Sequence, residues 1–73
     1  AWIVETLHQR GQVAAKRGER EAAHRLLHEA LELVRRAEPP RFDLHLLCAL
    51  DLATICAETQ REEEEREVLQ ELW

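Results

Sequence analysis

Tyrosine and methionine are missing from the chain, and glycine, proline and cysteine each occur only twice. With 45% hydrophobic and 34% charged residues, so little glycine and proline suits amphipathic helices better than strands or disorder. No uninterrupted apolar run approaches the ~20 residues of a membrane span, and no signal-peptide pattern opens the chain, so a soluble protein with no membrane partner is expected. Positive charge is not gathered into a stripe. The net charge is −5, and residues 61–73 hold six glutamates against two arginines, leaving a nearly balanced remainder. Without a basic stripe for phosphate backbones, nucleic-acid binding is not expected.

The two cysteines, Cys48 and Cys56, fall eight residues apart within one expected helix, about 12 Å along its axis. A disulfide needs Cα atoms within about 7 Å, so these are expected to be free thiols. Free thiols fit a reducing compartment, and a cytoplasmic setting is expected. At 73 residues the chain is about half the usual domain size. So short a chain buries only roughly 60% of its unfolded surface and gains from a metal, a disulfide or a partner. It opens at Ala1 rather than at methionine, as a segment of a longer protein would.

Projection at about 100° per residue yields four helices. Ile3, Val4, Leu7, Gly11, Ala14 and Ala15 share one face of a first helix from about Trp2 to Arg17, with Glu5, His8, Gln12 and Lys16 together on another. Gly18 stands where a left-handed helix cap is wanted. The second helix, from about Glu19 to Glu38, sets Ala22, Ala23, Leu26, Leu27, Ala30, Leu31, Leu33, Val34 and Ala37 against a charged face. Pro39 and Pro40 end it.

From Asp43 the chain is apolar almost all round, save a strip of Asp43, Asp51, Thr54 and Glu58, so a third, central helix covered on several sides is expected. Thr59 and Glu62 have capping-box spacing, which predicts a fourth helix from near Gln60 with Val68, Leu69, Leu72 and Trp73 as its apolar stripe. Short turns make antiparallel neighbours. The expectation is one all-α domain over 1–73, built of two helical hairpins, 2–38 and 43–73.

Leu7, Gly11, Gly18, Ala23, Leu27 and Ala30 fall at the spacing of small and large residues of a tetratricopeptide repeat, and Ala49, Ala53, Cys56, Gln60, Glu65, Leu69 and Leu72 continue it. The chain resembles that family. The turns at residues 18 and 60 are 42 apart, longer than the usual ~34. This looks like the long-repeat variants of kinesin light chains and bacterial signalling regulators. Gln60 stands where the family has its turn glycine, and Glu65 where it has a small residue. The resemblance implies a right-handed superhelix of four helices whose first helices line a groove for a peptide or helix of another protein. Carried onto this chain, the groove positions are Glu5, His8, Gln12 and Lys16, then Leu47, Leu50, Thr54 and Glu58.

Other constellations favour plainer readings. His24 and His28 are four apart, a metal-clamping spacing, but no third ligand follows at a recognisable interval, so surface histidines and no metal are expected. Cys48, three residues after His45, has no orienting group beside it and reads as core. The run Glu62 to Glu65 reads as a solvated first turn matched to the helix dipole. No phosphate loop, nucleophile elbow or carboxylate pair is visible, so neither catalysis nor a cofactor is expected. Beside the interaction module stand two further readings. One is a self-associating helical bundle, a homo-oligomer. The other is the helical regulatory part of a larger transcription regulator or signalling ATPase.

Overall fold

The computed structural model describes residues 2–36 and 41–71. Within them lie four helices and no strand: α1 Trp2–Lys16, α2 Arg20–Arg35, α3 Phe42–Glu58 and α4 Glu62–Gln70. The expected all-α architecture is therefore present. α2 ends at Arg35 with Arg36 as its C-cap, short of the expected end at Glu38, while the proline stop, Ala37 and the terminal Leu72 and Trp73 lie outside the described residues.

The charged–apolar alternation of α2 decides the packing. Ala23, Leu27, Ala30, Leu31 and Val34 are buried, as their common face requires. α1 meets this row at Gly11, where a β-carbon would lie 2.7 Å from Leu27 Cγ, so the two helices touch only because Gly11 has no side chain. α3 lies against α2 and α4 and more lightly against α1. It buries Leu44, Cys48, Ala49, Leu52, Ala53, Ile55 and Cys56. No Cα atom of α2 comes within 8 Å of one in α4.

The two turns are built alike. At the first, Gly18 N–H donates to Ala15 O at 3.1 Å and Glu19 N–H to Ala14 O at 2.9 Å. At the second, Gln60 N–H donates to Ala57 O at 3.3 Å and Arg61 N–H to Cys56 O at 2.7 Å. Both are Schellman caps, with Gly18 at φ 79° and Gln60 at φ 62°. Every partner in one turn has its counterpart 42 residues later in the other, and α2 and α4 start at the same offset, Arg20 and Glu62.

One expectation is corrected here. The capping box does not form: the Thr59 hydroxyl donates back to Ile55 O at 2.8 Å, finishing α3, and α4 starts later than Gln60, after an Arg61 with no side-chain cap. Back-bonding of this kind competes with capping the next helix. α3 is covered on several sides, by α1, α2 and α4, as its apolar composition led one to expect, but one side stays open. The Cα extents are 32 × 25 × 14 Å, a slab in which each helix keeps a side toward solvent. On α3 that side carries Leu46, Leu47 and Leu50, all 44–47% exposed.

Candidate functional site

α1 and α3 come together around Asp51. His8 Nε2 lies 2.5 Å from Asp51 Oδ2, and Gln12 Nε2 donates to the same oxygen at 3.3 Å. Arg20 Nε adds a bond to Glu58 Oε1 at 3.3 Å. Just beyond this latch, Gln12, Lys16, Thr54 and Glu58 surround a cleft of about 260 Å³ floored by Leu27 and Ile55. These are four of the eight expected groove positions, drawn from both helices. Lys16 has no ion-pair partner among the described residues, whereas Glu58 and Asp51 are both engaged.

The other four positions fall differently. Glu5 is exposed on α1 and Leu47 and Leu50 on α3, all outside the cleft. His8 is corrected: it is 8% exposed and belongs to the interhelix latch rather than to an open polar face. Its wheel position was polar, but the carboxylate that buries it lies 43 residues away, where helical periodicity carries no information. Ile3, expected on the apolar face of α1, is half exposed, and Val13, Leu46 and Phe42 are further large apolar residues left exposed. For Leu46 and Phe42, the all-round apolar character of α3 was the available signal.

A second groove, about 1200 Å³, separates α2 from α4 and is floored by Leu52 and Val68. Polar groups span it. His24 Nε2 sits 2.9 Å from both carboxylate oxygens of Glu64, Arg61 Nη2 donates to Glu21 at 2.6 Å, and Arg35 pairs with Glu32 and Glu71. The Arg61 bond holds the Glu21 carboxyl below its ordinary range and raises the guanidinium. The His28 ring stacks on that of His24, centroids 6.0 Å apart.

Two readings change here. His24 is not a surface histidine, its side chain being 18% exposed, and the glutamate run is only half solvated: Glu62 and Glu63 are exposed while Glu64 and Glu65 are partly buried. Behind the His24–Glu64 pair lies Cys56. Both cysteines are free and buried, as their spacing requires. Burial pushes each thiol up to about 11, helped at Cys48 by Asp51 and at Cys56 by Glu64.

No helix of the described residues is long and apolar enough to cross a membrane. No family model matches the chain, and neither a curated protein nor a solved structure matches it.

Proposed function

We propose that the chain is a non-catalytic protein-interaction module, a pair of stacked hairpins of tetratricopeptide type that binds an amphipathic helix of another protein across α1 and α3. The observation that carries this is the exposure of Leu46, Leu47 and Leu50 on one side of α3, the helix that also forms the α1/α3 cleft with Lys16 at its rim. Isolated exposed leucines are ordinary, but three on one helix face beside a cleft make the kind of surface that interfaces cover. An occupant that fits presents apolar side chains at i, i+3 and i+4 to the leucines and a carboxylate to the unpaired ammonium.

The repeat assignment draws support from the duplicated Schellman turns at an offset of 42, and from α3 seating itself against both helices of the preceding hairpin. A longer array of such hairpins would extend the α1/α3 surface into the right-handed superhelix that the resemblance implies. The free thiols suit a cytoplasmic setting.

Panning a library of amphipathic helical peptides on the chain tests the assignment. Selected peptides should carry the apolar repeat and an acidic residue, and lose at least tenfold in affinity for Leu50→Glu and Lys16→Glu, while Arg25→Glu on the opposite groove leaves binding unchanged. Peptides that bind the folded Leu50→Glu and Lys16→Glu variants as well as the parent chain refute this surface. Sedimentation separates the runner-up: a concentration-dependent dimer that Leu47→Glu renders monomeric assigns the leucine face to self-association.

A further inference from the structure

Three unlike donors from three helices converge behind the α2/α4 groove. His24 of α2 brings an imidazole nitrogen, Cys56 of α3 a thiol sulfur and Glu64 of α4 a carboxylate oxygen, all within 4.8 Å of one another. These are the donor types that bind zinc, at roughly 2.0–2.2 Å for nitrogen and oxygen and 2.3 Å for sulfur, in a tetrahedron whose corners lie about 3.3–3.7 Å apart. The His24–Glu64 separation of 2.9 Å is slightly tighter than such a corner spacing. Side-chain shifts on the order of 1 Å bring all three donors to bonding distance.

We propose that His24, Cys56 and Glu64 form a zinc site that fastens the first hairpin to the second, with a water entering from the groove as fourth ligand. On binding, the thiol proton passes to solvent, a Zn–S bond forms, and no electron is transferred. Thiolate and carboxylate together neutralise the ion's two positive charges. The site lies where a fastening is needed, because no direct helix packing joins α2 to α4. A chain of 73 residues gains much from one such staple. The groove provides the path, and carboxylates outnumber the cations on its walls: Glu62, Glu63 and Glu67 face it against Arg25, while Arg61 and Arg35 there are already paired with Glu21 and Glu71. The sequence alone hides the set, since His24 stands 40 residues before Glu64.

Cobalt(II), which reports its ligands optically, tests the site on the full 73-residue chain. One equivalent should give a thiolate-to-cobalt charge-transfer band in the near ultraviolet with visible bands of tetrahedral intensity. Zinc should displace it mole for mole and raise the melting temperature. The band should persist in Cys48→Ala and disappear in Cys56→Ser. Since Cys56 is fully buried, His24→Ala, at a partly exposed helix position, carries the same test with the fold preserved. A folded parent chain that shows no charge-transfer band, a band that survives in His24→Ala, or one lost from a folded Cys48→Ala overturns the site.

Discussion

The two hairpins share one turn and differ in almost everything else. In the first, α1 and α2 are both amphipathic, and the buried row of α2 serves α1 on one side and α3 on the other. In the second, α3 buries seven residues while α4, opening on four glutamates, fully buries only Val68. The second hairpin is thus a core helix with a light acidic cover, and it borrows its stability from the first. Identical turn geometry does not imply equal self-sufficiency; what decides is how many helix faces each hairpin can close by itself.

Truncation of the shared core should have the largest effect and shows whether the hairpins are separable. Leu27 and Leu52, at 1% and 0% exposure, stand for the two halves. Each leucine-to-alanine change should cost about 2–5 kcal/mol, read as a lower urea midpoint at unchanged slope. Because α3 draws its cover from both hairpins, Leu52→Ala should shift one cooperative transition. Two transitions would show that the first hairpin stands alone.

Next in size is the contact that the first hairpin makes through Gly11. An alanine there meets Leu27 Cγ at 2.7 Å. Overpacking costs about 1–3 kcal/mol, against about 1 kcal/mol returned by helix propensity, so Gly11→Ala should be destabilising by thermal melt. The position 42 residues on, Ala53, already carries a β-carbon at 5% exposure. Ala53→Gly should lose about 1 kcal/mol through propensity and about 0.8 kcal/mol more through the buried methyl it removes. A stabilised Gly11→Ala would mean that α1 and α2 sit farther apart than described.

These residues also mark how far the sequence could be read. The faces of α2 follow from a clean 3.6-residue period, and its buried row was legible residue by residue. The left-handed turn at Gly18 was legible because glycine advertises it, whereas the second turn was placed near Gln60 by the spacing around Thr59 and by the resemblance, without its left-handed backbone being legible. The cleft positions Gln12, Lys16, Thr54 and Glu58 were reachable because the resemblance, together with the polar strips of the two helices, set α1 beside α3. What escaped depends on partners about 40 residues away: His8 drawn inward by Asp51, His24 by Glu64. Leu47 and Leu50 were expected at the groove, but the exposure of Leu46 beside them escaped for another reason, since periodicity tells how apolar a helix is, not how many neighbours the chain can supply.

A smaller effect, on the order of 1 kcal/mol, separates the turns themselves. Left-handed backbone costs a side-chain-bearing residue about 1–2 kcal/mol, less roughly 0.5–1 for the chain entropy that glycine loses. Nothing lies within 4 Å of a β-carbon built on Gly18, so Gly18→Ala should lose stability through backbone conformation only. Gln60→Gly should gain by a similar amount, making the second turn resemble the first. Melting curves of the two variants moving in the same direction would show that the turns are not equivalent.

The smallest effect concerns the exposed tie between the hairpins, Arg61 to Glu21. Donation from Arg61 lowers the folded pKa of Glu21, so between the ordinary glutamate value and this lower one the unfolded chain binds more protons than the folded chain. The resulting stabilisation is complete above the ordinary value, about 4.3, and is lost as the pH falls through the folded value. Other carboxylates titrate in the same window, so the quantity to measure is the difference between the parent chain and Glu21→Gln. Their urea midpoints should be separated at pH 6 and converge toward pH 3. The separation should shrink in 1 M salt, which reduces the Debye length to about 3 Å. A separation that persists at pH 3 would mean that Glu21 contributes through packing rather than charge. The second hairpin would then owe its placement to the packing of α3, to the His24–Glu64 contact and to the Arg20–Glu58 and Arg35–Glu71 pairs, without help from the Arg61–Glu21 charge.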